Sequence, residues 1–155
     1  MAPPVARMLG YTLSDLMITL TVAGLLAAIA FPSYATYAER ARIAKAVGDI
    51  SSISLAIDQF ELNNNGALPL SLNELPVDVP TDPWGQPYEY LNIRAVGPGK
   101  GGLRKDGKLN PLNTDFDLYS RGKDGDSKGP LNAKASRDDI IRANNGAFVG
   151  LGEDY

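Results

Sequence analysis

The stretch GYTLSDLMITLTVAGLLAAIAFPSYATYAERARIAKA, which covers Gly10–Ala46, is apolar for its first two thirds and then gains charged residues without a turn signal between. Between Arg7 and Glu39 the only charged residue is Asp15, and the segment Leu16–Phe31 is almost entirely apolar. About 20 helical residues, each adding about 1.5 Å of length, cross the hydrocarbon core of a bilayer. The stretch therefore predicts a membrane-spanning helix near the N-terminus.

The helical pattern continues beyond the apolar segment. Apolar residues recur there at steps of three or four, which is typical of an amphipathic helix; they are Ile43, Val47, Ile50, Ile53, Ile57 and Phe60. The Asn-Asn-Asn-Gly cluster at 63–66 is a plausible helix end. We therefore expect one helix of about 50 residues, with one half soluble in lipid and one half able to pack on a globular head.

An alternative for the apolar segment is a secretory signal that is removed. Ala28 and Ala30 have the small-x-small spacing of a signal peptidase site. The amphipathic stripe that follows without a break argues against this alternative, because a cut there would divide the helix.

Composition excludes several classes of function. The 155 residues carry a formal net charge of -3 and contain no Cys and no His. An acidic chain does not offer the overall basic surface that binds nucleic acid. The absence of Cys and His also excludes thiol nucleophiles, disulfides, the usual zinc ligands and the side chain that titrates near neutrality. Hard cations such as calcium remain possible, because they bind carboxylate and carbonyl oxygens. We therefore expect a protein that is not an enzyme.

After Gly66 the chain predicts a small sheet. Alternation and aromatic content indicate strands at Tyr88–Ile93 and Phe116–Ser120. The region between them, 94–113, is rich in Gly, Pro and Lys and predicts a mobile hairpin or loop. Its basic residues are expected to form a solvated or filament-exposed face; they are Arg94, Lys100, Arg104, Lys105 and Lys108.

An acidic loop follows the second predicted strand. Asp124 lies at its near end, and Asp138 and Asp139 lie at its far end. An EF-hand is excluded, because the twelfth position counted from Asp124 is Ala135 instead of Glu. Two interpretations remain open: a calcium site closed by the two ends of the loop, and a solvated acidic loop.

Two groups of motifs resemble the type IV pilin and type II secretion pseudopilin superfamily. The first is GYTLSD with the apolar run and AAIAFPSYATYAERAR, and the second is DPWGQPYEY with DLYSRGKDG and DDI. The second group resembles most closely the major pseudopilins, the general secretion pathway protein G-like members. The resemblance implies an α+β pilin-like fold, in which a long N-terminal helix packs on a small antiparallel sheet with a C-terminal loop.

The resemblance also implies roles for residues of the helix. Prepilin peptidase would cut after Gly10 and methylate the new terminus at Tyr11. The ammonium of Tyr11 would then pair with Asp15 of a neighbouring subunit during assembly, and Pro32 would allow a kink or local melting on filament packing. The family usually has Phe at the position of Tyr11 and Glu at that of Asp15.

A calcium ion is the cofactor that the resemblance implies for the head. Carried over by position, its ligands would be the side chains of Asp124 and Asp139 and the carbonyl groups of Leu118 and Arg121, with Asp138 as a further candidate. The loop between the two ends is longer than the family usually shows.

The expected organisation is a leader peptide at 1–10, a transmembrane and assembly segment at 11–38, an amphipathic segment at 39–65 and a globular head at 66–155. The expected function is a subunit of a type II secretion pseudopilus in the bacterial inner membrane, single-pass with its head in the periplasm. Expected partners are further copies, other pseudopilins, prepilin peptidase, the inner-membrane assembly platform and its ATPase. The alternatives are a type IV pilus pilin and a membrane-anchored calcium-binding module that does not polymerise.

Overall fold

Helix α1 runs from Leu13 to Asn63 in the computed structural model, which describes residues 10–97, 102–107 and 109–155. The helix ends as its sequence predicts. Asn65 and Gly66 both have positive φ angles, of 55° and 85°, and the Gly66 N–H donates to the Glu61 carbonyl at 2.9 Å. A left-handed residue of this kind satisfies the carbonyl groups left open at a helix C-terminus.

The chain divides into two compact units, with the boundary between Glu39 and Arg40. In the first unit, α1 is long and apolar enough to cross a membrane, and Pro32 lies inside it. The second unit contains the remainder of α1 and the sheet. The segment boundaries expected from the sequence, at 10, 38 and 65, stay predictions.

Four antiparallel strands form one sheet in the order β1-β2-β3-β4. They are β1 (Glu89–Asn92), β2 (Phe116–Ser120), β3 (Ile140–Ala143) and β4 (Phe148–Leu151). A short helix, α2 (Ile93–Val96), follows β1, and 3-10 turns lie at Leu72–Glu74, Lys134–Ser136, Asn144–Gly146 and Gly152–Asp154. The expected α+β pilin-like fold class is confirmed, and both predicted strands are present.

The core of the second unit lies between α1 and one face of the sheet. Ile50 and Ile57 of the helix are fully buried and belong to one cluster with Phe116, Leu118 and Ile140 of the sheet. Each such side chain contributes about 1.5–3 kcal/mol on burial. The opposite face carries a smaller cluster, made by Leu112, Leu131, Ile141 and Ala143. Both faces of the sheet are therefore covered.

One expectation for the loop region was wrong. Arg104 does not lie on a solvated basic face, because only 2% of it is exposed. The backbone N–H of Arg104 donates to the buried Asp117 carboxylate at 2.9 Å. This hydrogen bond holds the chain around Arg104 against the sheet. Lys100 and Lys108 of the same set lie outside the described residues.

Candidate assembly and loop-closure sites

The start of α1 is organised by a reciprocal cap. The Thr12 N–H and hydroxyl donate to Asp15 Oδ2 at 2.9 Å and 2.7 Å, and the Asp15 N–H donates to Thr12 Oγ1 at 3.2 Å. This is the arrangement of a capping box, with Asp in the place of the usual Glu. Gly10 precedes the cap, and Tyr11 is 96% exposed. In this structure, Asp15 is therefore a helix-capping residue.

Past Asp15, α1 presents an apolar surface. Its large hydrophobic side chains up to Phe31 are more than half exposed in the single chain. Pro32 has no N–H to give to the preceding turn. The hydroxyl of Ser33 donates to the Ile29 carbonyl at 3.0 Å and that of Thr36 to the Pro32 carbonyl at 3.1 Å, so the polar side chains near the proline are bonded within the helix.

Asp124 and Asp138 meet in a tight turn after β2. Asp138 Oδ2 accepts the N–H groups of Lys123 at 2.9 Å and Asp124 at 3.0 Å. The Asp124 carboxylate in turn accepts the Asp126 N–H at 2.8 Å. Both carboxylates thus hold backbone N–H groups, as Asp side chains in turns commonly do.

Asp139 lies in a different environment. It is fully buried, and its Oδ2 accepts from the Arg104 guanidinium and from the Ser127 hydroxyl, the latter at 2.7 Å. Arg104 Nη1 donates to Ser127 Oγ at 2.5 Å and to the Lys128 carbonyl at 3.1 Å. Burial raises the pKa of Asp139, and the charge of Arg104 opposes this shift. We call Arg104, Ser127, Lys128 and Asp139 the Arg104 cluster.

The two carbonyl groups expected to bind calcium belong to one residue within β2 and one residue just after it. Leu118 lies inside β2, opposite Tyr90 of β1. Arg121 follows β2, and its guanidinium pairs with Glu89 at 2.5 Å. The structure therefore brings Asp124 and Asp138 together but places the Asp139 carboxylate against an arginine.

These donors fit a resident calcium ion poorly. Calcium takes six to eight oxygen ligands, whereas Asp138 Oδ2 and Asp139 Oδ2 already accept from protein donors. Within residues 10–97, 102–107 and 109–155, no three acidic, Cys or His side chains are grouped as a metal site would need. Asp139 Oδ1 is buried without a hydrogen bond. Calcium binding stays a prediction.

Sequence reasoning missed the role of Arg104 and a second buried arginine, Arg142. The guanidinium of Arg142 binds Asp115 through two hydrogen bonds, of 2.9 Å and 2.7 Å, and lies 3.9 Å from the centre of the Phe116 ring. Both arginines therefore lie over an aromatic ring of β2, because Arg104 is 4.0 Å from the centre of the Tyr119 ring. The residues next to Arg104 and Arg142 in the sequence do not distinguish these two arginines from exposed basic residues.

We expect Asp115→Asn to lower stability by about 2 kcal/mol at neutral pH, because it leaves the mostly buried Arg142 without its counter-ion. Burial raises the pKa of Asp115, but the hydrogen bonds and charge of Arg142 outweigh burial, so its pKa lies below the ordinary 3.8. A lowered folded-state pKa gives stability that is present above pH 3.8 and lost as the pH falls through the folded-state value. The difference in the free energy of unfolding between the variant and the native chain should therefore become smaller below about pH 4.

The measurement is urea unfolding of the full-length chain in a neutral detergent, followed by the fluorescence of Trp84, the only tryptophan. Asp78→Asn is the matched control, since Asp78 is exposed. A difference that does not change with pH would contradict the role given to the Asp115 charge.

The amino-acid sequence is similar to those of several known proteins. No family model matches the chain. The type II secretion system core protein G of Pseudomonas aeruginosa is 31% identical over 144 residues, which cover 79% of this chain and 89% of that protein. The protein of the same name from Pectobacterium carotovorum is 32% identical over 139 residues, 77% of this chain and 78% of its own length. The type IV major fimbrial protein FimA of Dichelobacter nodosus is 31% identical over 100 residues, 64% of this chain and 62% of its own.

Proposed function

The chain belongs to the family of type II secretion system core protein G, the major pseudopilins, and we propose that it polymerises through α1 into a pseudopilus-like filament. Before assembly, prepilin peptidase cuts after Gly10 and methylates Tyr11. The first part of α1 holds the subunit in the bacterial inner membrane, with the head in the periplasm. The role is structural instead of catalytic.

One observation carries this proposal, namely the exposed apolar surface of α1. The side chains of Leu16, Leu20, Leu25 and Phe31 are between 57% and 75% exposed. Contiguous apolar surface of this kind marks a site of contact with lipid or with protein. A helix that is apolar all round suits a bilayer first and a bundle of identical helices afterwards. The same surface thus serves storage in the membrane and packing in the filament.

Asp15 supplies the specific contact that an apolar surface lacks. An ionised group among apolar side chains is costly unless it is paired, and in a membrane segment it is a functional site by default. Cleavage after Gly10 would create an ammonium on Tyr11, one residue before the Thr12–Asp15 cap. Pairing of this ammonium with Asp15 of a neighbouring subunit would fix the axial register, because apolar contacts alone do not specify one.

We expect Gly10→Val to block removal of the leader, so that the intact mass of the protein from a native membrane fraction is that of the uncut chain. The native sequence should give the mass of a chain that begins at methylated Tyr11. An added Cβ at position 10 meets no atom within 4 Å, so the substitution makes no clash at that atom. The expected effect therefore reports on recognition by the peptidase.

Gly24→Val is the matched control. A Cβ at Gly24 also meets no atom within 4 Å outside its own helical turns, and the site lies away from the cleavage point. This variant should be processed like the native chain. A native chain that begins after Ala30 would contradict the proposal, since it would identify an ordinary secretory signal.

A type IV pilus pilin is the second candidate, and the similarity to the fimbrial protein of Dichelobacter nodosus favours it. The absence of Cys argues for the pseudopilus, because the resemblance associates pilus subunits with a C-terminal loop closed by a disulfide. The proposed partners are further copies, other pseudopilins, the inner-membrane assembly platform and its ATPase. Deletion of the chain should stop enzyme secretion under the first candidate and surface motility under the second.

A further inference from the structure

We propose that Arg104 is the cation that closes the loop between β2 and β3, and that it does so by binding Asp139, one of the residues that the resemblance assigns to calcium. The closed head would then need no calcium for its stability. The inference concerns the second unit alone and does not depend on whether the chain polymerises.

The guanidinium of Arg104 joins the middle of this loop to its far end. It donates to Ser127 and to the Lys128 carbonyl, and it pairs with Asp139, which directly precedes β3. Ser127 connects the two sides, because its hydroxyl accepts from Arg104 and donates to Asp139 at 2.7 Å. Oxygen atoms from separate parts of the loop thus converge on one positive charge, as they would on a metal ion.

Arg104 is itself held in position. The backbone N–H of Arg104 donates to the Asp117 carboxylate at 2.9 Å, and the backbone carbonyl of Arg104 accepts the Leu112 N–H at 2.8 Å. The guanidinium lies 4.0 Å from the centre of the Tyr119 ring, which favours a cation at that place. The side chain is 2% exposed and always charged. Its position is therefore set by β2 and by the loop segment at Leu112.

The other carboxylates expected to bind calcium form hydrogen bonds within the loop. Asp138 and Asp124 hold the N–H groups of the turn after β2. Asp139 is the carboxylate that faces Arg104, and their charges balance. A divalent ion at Asp139 would lie beside a buried guanidinium and be repelled by it. The donor set thus suits an arginine better than a calcium ion.

The first experiment is urea unfolding of the native full-length chain in neutral detergent, followed by Trp84 fluorescence, with excess calcium chloride or with excess chelator. We expect the same midpoint in both. Calcium bound at a hundred times its dissociation constant would instead raise the folded-to-unfolded ratio about a hundredfold. A midpoint that falls in chelator would overturn the proposal, and this measurement requires no variant to fold.

The second experiment removes the charges. Arg104→Met should lower the folded-to-unfolded ratio at least about a hundredfold, because it leaves Asp139 buried without a counter-ion. Arg137→Met is the matched control, since Arg137 is exposed two residues before Asp139; it should change the ratio by no more than about twofold. Asp139→Asn in the Arg104→Met background should restore part of the loss.

Two outcomes of the second experiment would also overturn the proposal. One is an Arg104→Met chain as stable as the native chain. The other is strict additivity of the Arg104 and Asp139 substitutions, which would mean that the two charges do not act on each other. Should Arg104→Met fail to fold, Ser127→Ala is the milder variant and should lower the ratio roughly tenfold, because it removes the bridging hydroxyl.

Discussion

Gly122→Ala is expected to lower the free energy of unfolding by about 3 kcal/mol or more. Gly122 has a φ of 65°, and an added Cβ would lie 2.1 Å from the Asp138 carbonyl oxygen and 2.6 Å from its carbonyl carbon. The atoms that the added Cβ would meet first belong to the backbone of Asp138. It cannot withdraw easily, because the next carbonyl, that of Asp139, accepts the Gly152 N–H at 2.8 Å beside β3 and β4. The substitution should therefore separate the turn after β2 from the start of β3.

Gly125→Ala is the matched control in the same loop. Gly125 has a similar φ of 73°, but the nearest atom to an added Cβ is the side-chain amide nitrogen of Gln86, at 3.6 Å. Its cost should be about 1–2 kcal/mol, from backbone strain alone. Urea unfolding followed by Trp84 fluorescence measures both variants. Equal losses would show that the close approach of Gly122 to Asp138 does not matter.

Asp15→Asn should reduce filament assembly at least tenfold while membrane insertion stays normal, because a neutral amide does not pair with the Tyr11 ammonium of a neighbouring subunit. The start of α1 should survive, since an Asn side-chain oxygen can still accept from Thr12 as Asp15 does. The measurement is the fraction of the chain recovered in sedimented filaments relative to the membrane fraction.

Asp15→Glu and Asp58→Asn test the specificity of this effect. Glu keeps the charge and is the residue that the resemblance associates with this position, so assembly should persist. Asp58 is an exposed carboxylate on the same helix, and its substitution should leave assembly unchanged. Normal assembly of Asp15→Asn would mean that register is set elsewhere. Absence of filaments from the native chain as well would favour a membrane-anchored module that does not polymerise.

Local patterns predicted a large part of this fold. The three-and-four spacing from Ile43 to Phe60 predicted a helix, and α1 ends at Asn63 beside the predicted Asn-Gly cluster. β2 has the predicted bounds, Phe116–Ser120. The pseudopilin resemblance is confirmed by relatives that match most of the chain. These predictions succeeded because helical periodicity, strand alternation and turn residues act over a few neighbouring residues.

The long helix, the α+β class and the family were therefore predictable from local sequence patterns and from the resemblance, and the assembly residues at the N-terminus stay predictions. Two features depend on the packing of distant segments: the C-terminal tail adds β4 to the sheet beside β3, and Arg104 is buried. Arg104 and Asp139 are 35 residues apart in sequence, and each has neighbours typical of an exposed loop. The charge of a side chain is local information, but its burial and its partner are set by segments distant in sequence that pack together.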